Sequence, residues 1–153
     1  MVRVLVVDDN TDITDMLSFY LESLGGYECK VLNDGKEGLE TIKSEDFDVI
    51  ILDLAMPEFS GIDVINSLKK ENLLGKKNIV ILTASTLNEQ DTEGFLRDGV
   101  KAILKKPISV DELTNVTLFK SNLEDFNNFL TISAVSLFGG VLKIALSLFS
   151  TLI

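Results

Sequence analysis

The chain has 153 residues, enough for one domain with a real core. Fourteen basic residues against twenty-four acidic ones give a net charge of −10, which argues against a nucleic-acid partner and suits a cation site. There is no histidine, so His-based catalysis and His-ligated metals are excluded, and the single cysteine, Cys29, allows no intramolecular disulfide and fits a reducing compartment. Met1-Val2-Arg3 runs straight into a strand with no cleavage-site pattern behind it, so no signal peptide is expected. Arg3 to Val7 reads as the first strand. A helix follows from about Thr11 to Leu24, with Ile13, Met16, Leu17, Tyr20, Leu21 and Leu24 as its apolar positions, and Gly25-Gly26 stops it. Tyr27 to Leu32 is a short strand, expected at an edge. Asn33-Asp34-Gly35 is a turn whose Asp34 caps a helix running to about Lys43.

The third strand, the run Asp48 to Leu52, ends at Asp53, and Pro57 then forces a loop. A helix from about Gly61 to Leu73 carries Ile62, Val64, Ile65 and Leu68 as apolar positions. Asn78 to Thr83 is the fourth strand, Asn88 to Asp98 a helix ended by Gly99, and Val100 to Lys105 the fifth strand. Ser109 and Glu112 form a capping box for a fifth helix reaching about Ser121. Strands alternating with helices in this way predict a doubly wound α/β domain with right-handed crossovers and a parallel sheet.

Four of the strands end in polar residues: Asp8-Asp9, Asp53, Thr83 and Lys106-Pro107. In a parallel sheet all of these meet at one edge, where open α/β sheets bind ligands. Asp8, Asp9 and Asp53 make an oxygen cluster suited to a hard divalent cation such as Mg²⁺. Crowded carboxylates repel, which favours a bound cation or a raised pKa. A carboxylate can also act as a nucleophile and form an acyl-phosphate, with Lys106 as a fixed ammonium and Thr83 as a hydroxyl donor to a phosphoryl oxygen. Each piece alone has an ordinary reading as a turn or a cap; the set, in this order after these strands, carries the weight.

That set resembles the receiver domain of two-component response regulators, the family that includes the single-domain chemotaxis regulator. The resemblance covers roughly residues 2 to 121. It implies a flavodoxin-like strand order 2-1-3-4-5 and Asp53 as phosphoacceptor. It further implies Mg²⁺ held by Asp9, Asp53 and the main-chain carbonyl of Ala55, with Asp8 acting largely through water. Thr83 and Lys106 match the switch hydroxyl and the phosphate-binding lysine, a cis peptide bond precedes Pro107, and Gly61 opens the helix after the loop. Lys105, one residue off, reads as a solvated neighbour. The family's usual aromatic three residues before the lysine is here Ile103, which implies an altered output. The implied partners are a histidine kinase, since this chain has no histidine of its own, and a downstream protein. Two rival readings stand beside this one. A Mg²⁺-dependent aspartyl-phosphate phosphatase would need a second acid two residues after the nucleophile, where Ala55 sits. A degenerate receiver would serve only as a docking module.

The boundary is placed at residues 1–121 for the receiver and 122–153 for an apolar C-terminal tail. Residues 129–153 hold one charge, Lys143. As a helix they would span roughly 37 Å at about 1.5 Å per residue, more than a hydrocarbon core of about 30 Å. Ser133, Ser136, Gly140, Lys143, Ser147 and Ser150 recur at spacings of three and four. The tail reads as a membrane-embedded anchor, as a helix packing on a partner chain or on the receiver itself, or as a terminus without a dedicated role. No DNA-binding domain is recognised after the receiver. A folded receiver is expected to have no spare surface for this tail. The full chain is therefore expected in the cytoplasm, with membrane association or self-association through residues 129–153.

Overall fold

Residues 1–117 are described by the computed structural model of the chain. The expected end of the fifth helix near Ser121 and the apolar tail fall on residues 118–153, outside the described residues. Five strands, β1 (Val2–Val7), β2 (Tyr27–Leu32), β3 (Val49–Leu52), β4 (Ile79–Thr83) and β5 (Ala102–Lys105), form one parallel sheet in the order β2-β1-β3-β4-β5. Five helices alternate with them: α1 (Thr11–Ser23), α2 (Gly35–Ser44), α3 (Gly61–Lys70), α4 (Glu89–Asp98) and α5 (Val110–Thr117). This is the doubly wound, flavodoxin-like arrangement expected from the sequence, with β2 at an edge.

Successive strand side chains point to opposite faces, and that alternation splits the core into two layers. Val4, Val6, Val49, Ile51, Val80 and Leu82 face Leu17 and Leu21 of α1 and Leu113 of α5. Leu5, Val7, Ile50, Leu52, Ile79 and Ile81 face the other layer, with Ile42 of α2 and Val64 and Leu68 of α3. Helices cover both faces, so the inner strands are continuous apolar runs.

The caps act where the sequence places them. Asp34 accepts from the Glu37 amide at 2.8 Å, and Ser109 and Glu112 exchange bonds in the capping box. Gly25 and Gly26 end α1 in left-handed conformations, with φ of 72° and 86°.

Three expectations need correction. α3 stops at Lys70 and not near Leu73, because Asn72 takes a left-handed φ of 55°. The Leu73 amide then bonds back to the Leu68 carbonyl and the Asn72 amide to that of Lys69, a Schellman closure. A short 3-10 turn, Leu74–Lys76, follows. Three positions assigned to apolar faces are exposed: Met16, Leu24 and Ile62. Finally, the strands begin one or two residues later than expected at β4 and β5.

Gly61 is fixed by a close approach. Its amide bonds to the Leu54 carbonyl at 3.2 Å, and an added Cβ would press into the Asp53 carbonyl oxygen. Gly61→Ala should therefore destabilise the domain by about 1–3 kcal/mol through overpacking. The check is a urea titration, expected to show a lower midpoint at unchanged slope.

Candidate functional site

Strand register builds the site. Val7 pairs with Leu52, so Asp8 and Asp53 leave adjacent strands side by side. The Asp53 amide donates to the Val7 carbonyl at 2.9 Å and holds that alignment. Thr83 pairs with Lys105, and the Lys106 amide donates to the Thr83 carbonyl at 2.9 Å. The reversal of chain progression between β1 and β3 opens the crevice where these ends gather. Asp8, Asp9, Asp53, Thr83 and Lys106 are thus all at one edge, as the sequence implies, and the Lys106–Pro107 bond is cis.

Asp8, Asp53 and Thr83 are buried, whereas Asp9 is exposed. The Lys106 ammonium sits 2.5 Å from Asp8 Oδ2 and 3.2 Å from Asp53 Oδ1. The Lys106 ammonium is the ion-pair partner of Asp53 Oδ1, but at an angle poor for a hydrogen bond, and this buried oxygen has no other partner among the described residues. Asp53 Oδ2 accepts from the Ala55 amide at 3.0 Å, and Asp8 Oδ1 from the Asn10 amide at 3.0 Å. The Thr83 hydroxyl accepts from the Ser85 amide at 3.1 Å. Lys105 is exposed, as expected of a solvated neighbour.

Burial raises the Asp53 carboxyl above its ordinary range, against the pull of Lys106. The negative charge of Asp8 is a smaller cause, so crowding of carboxylates is not the main one. Burial alone would lower the Lys106 ammonium, but its hydrogen bond to Asp8 and the charges of Asp53 and Asp8 leave it raised.

Carboxylate oxygens of Asp8, Asp9 and Asp53 lie within 4.8 Å of one another. Three carboxylates against one ammonium leave an excess of negative charge. An all-oxygen donor set of this kind fits a hard divalent cation. The buried, unpartnered Asp53 Oδ1 fits it too, since such atoms are rare unless something satisfies them.

Sequence reasoning missed Asn33. Its side-chain amide donates to the Asp8 carbonyl at 2.7 Å and to the Thr14 hydroxyl at 3.2 Å, tying the end of β2 to the turn that carries the acid pair. A polar residue directly after β2, at the same edge as Asp8, was the available signal; the turn motif Asn33-Asp34-Gly35 masked it.

Over residues 4–117 the chain matches the family described as response regulator receiver domain. It is 37% identical over 131 residues to the response regulator SaeR of Staphylococcus epidermidis, covering 84% of this chain and 55% of that protein. It is likewise 37% identical over 113 residues to SaeR of Staphylococcus aureus, covering 74% of this chain and 47% of that one. The chain thus spans about half the length of the curated relatives it matches. Among solved structures, it is similar to the receiver domain of the Francisella response regulator 1452, with a TM-score of 0.68, 29% identity, and coverage of 84% of this chain and 99% of that one. It is also similar to the response regulator TrrA of Thermotoga maritima in complex with Mg²⁺-BeF. There the TM-score is 0.62 and the identity 31%, covering 74% of this chain and 94% of that one.

Proposed function

The chain belongs to the response regulator receiver domain family of two-component systems, and from that premise we propose that Asp53 accepts a phosphoryl group from a histidine kinase. An Asp53 carboxylate oxygen attacks the phosphorus of the kinase's phosphohistidine. The O–P bond forms and the N–P bond breaks, and the electron pair returns to the imidazole nitrogen, which takes up a proton. The observation that carries this reading is the setting of Asp53 at the end of β3. It is buried, its Oδ1 lacks a well-aligned hydrogen-bond partner among the described residues, and the Lys106 ammonium is 3.2 Å away. Lys106 neutralises the phosphoryl charge, and the Thr83 hydroxyl donates to a phosphoryl oxygen.

Mg²⁺ would be held by Asp9 and Asp53 directly, by Asp8 largely through water, and by the Ala55 carbonyl. When bound it supplies charge neutralisation to the phosphoryl oxygens. The acidic cluster supports this choice, as does the Mg²⁺-BeF complex of the similar TrrA. Asp9→Ala should lower Mg²⁺ affinity by more than the roughly 10–100-fold typical of losing an outer-shell partner, because it removes a direct ligand and a charge. Titration of the apo protein with Mg²⁺ measures it; unchanged affinity would remove Asp9 from the ligand set.

The signal leaves through the face of α4 and β5, where phosphorylation shifts an existing equilibrium and changes which protein is bound. α4 suits that role, since it has no buried residue and so few contacts to hold it in one place. Ile103, half-buried on the same core layer as Leu87 and Phe95, has no ring to swing between solvent and pocket, so the readout takes another route. We assign the receiver to residues 1–121 and the apolar tail to 122–153. The expectation of no nucleic-acid partner rests on net charge and on the absence of a recognised DNA-binding pattern after the receiver, and gains no support from relatives about twice as long as the matched segment. Among the described residues, no helix is long and apolar enough to cross a membrane.

Ala55 stands where an aspartyl-phosphate phosphatase needs its second acid, which counts against an enzyme of that class. The docking-module reading is separated by one experiment. The full chain is incubated with Mg²⁺ and acetyl phosphate, and its intact mass is measured. A gain of one phosphoryl group is expected; a chain that stays unmodified is a docking module.

A further inference from the structure

Asp8 and Asp9 share one peptide unit. Because that unit is planar, the direction of the Asp8 carbonyl fixes where Asp9 begins. The β1–β2 ladder runs one step past the strand ends, with the Asp8 amide donating to the Leu32 carbonyl at 3.1 Å. The Asn33 side-chain amide adds a further rung, donating to the Asp8 carbonyl at 2.7 Å and to the hydroxyl of the buried Thr14 at 3.2 Å. The Asn33 backbone is itself anchored. Asp34 caps α2 through the Glu37 amide at 2.8 Å, and Gly35 lies so close to the Phe59 carbonyl that a Cβ would overlap it. Asp9, by contrast, makes no side-chain hydrogen bond or ion pair among the described residues. Its carboxylate is therefore placed by its main chain, and the Asn33 amide is what ties that main chain to the neighbouring strand.

We propose that Asn33 is a positioning residue for the divalent-cation site: it holds the Asp8–Asp9 peptide in the orientation that presents the Asp9 carboxylate beside Asp8 and Asp53. The inference rests on the reading of the acid cluster as a Mg²⁺ site and adds a residue that this reading does not use. Asn33 acts through the main chain, since its amide meets the Asp8 carbonyl and not a carboxylate. Without that bond the peptide would have to be ordered when the cation binds, and the ordering cost would come off the affinity. Loss of an outer-shell partner typically weakens metal binding about 10–100-fold. The lower end, about 10-fold, applies here, because Asn33 is exposed and water replaces part of its bond.

The test is a calorimetric titration of Mg²⁺ into the metal-free full chain and its variants. Asn33→Leu keeps the size and the neutral charge but removes the donor, and it should bind Mg²⁺ about 10-fold more weakly. Asn33→Gln keeps the donor, and the open solvent around this position leaves room for it to bend back, so its affinity should stay close to that of the parent. Urea unfolding without metal is measured on the same proteins. A bond that only supports the fold would lower the midpoint and leave the affinity alone. Unchanged affinity in Asn33→Leu, or equal weakening in Asn33→Leu and Asn33→Gln, would overturn the proposal and leave the Mg²⁺ reading standing. A parent chain that binds no Mg²⁺ at all would remove that reading and this proposal together. Asn33 is exposed, so the leucine variant should fold; if circular dichroism shows otherwise, Asn33→Ala takes its place in the same comparison.

Discussion

Full-length chain carrying Asp53→Asn should gain no phosphoryl group from acetyl phosphate and Mg²⁺, while the parent chain gains one. The carboxamide is nearly isosteric, so packing at the end of β3 is retained, but the amide is not a nucleophile and carries no charge. Burial already holds the Asp53 carboxyl above its ordinary range. The substitution removes a charge that the folded state accommodates poorly, and the thermal midpoint should not fall. Intact mass and a melting curve report the two results separately. Phosphorylation at full yield in the variant would falsify the assignment, since it would move the acceptor to another carboxylate such as Asp8 or Asp9.

Lys106→Ala should destabilise the metal-free protein by about 3 kcal/mol, the lower end of what breaking a buried ion pair does. The lysine side chain is 15% exposed and those of its partners Asp8 and Asp53 are 3% and 4%, so both carboxylates would be left buried without their cation. Mg²⁺ should restore most of the loss, because at 100 times its Kd a ligand specific to the folded state adds about 2.7 kcal/mol. Mg²⁺ affinity itself should stay the same or rise, as a competing cation has gone, and the response to phosphorylation should be lost. Urea unfolding with and without Mg²⁺, together with a direct Mg²⁺ titration, separates these effects. A fall in affinity equal to that of Asp9→Ala would contradict the distinct roles of lysine and acid.

Much of the site can be read from the chain because each group follows a strand directly. An apolar run ending in Asp53, another ending in Asp8-Asp9, and two ending in Thr83 and Lys106 require only that the strands be parallel to converge. What the runs do not contain is the pairing between acids and base. That Lys106 meets Asp8 more closely than Asp53 is not contained in the strand order either, since β5 lies nearer β3 than β1 and the long lysine side chain reaches past Asp53 to Asp8. The clamp from Asn33 was hidden for the same reason, since it joins residues 25 apart through the β1–β2 pairing.

Local signals and tertiary ones divide along the same line. Caps, glycine stops and strand runs depend on neighbours within a few residues, and so Asp34, Ser109–Glu112, Gly25-Gly26 and the five strands stand in the sequence itself. By itself the sequence also determined the fold class and which polar groups gather at one edge, because alternation of strand and helix allows few other topologies. The tertiary structure alone decided which apolar residues are buried. Met16 and Phe19 have the same hydrophobic character as Leu17 and Leu21, and only the direction of the sheet from α1 leaves the first pair in solvent and the second in the core. It also decided the direction in which the Asp53 carboxyl is shifted, since burial, the main cause of the rise, is a property of everything packed around a group and not of its own sequence.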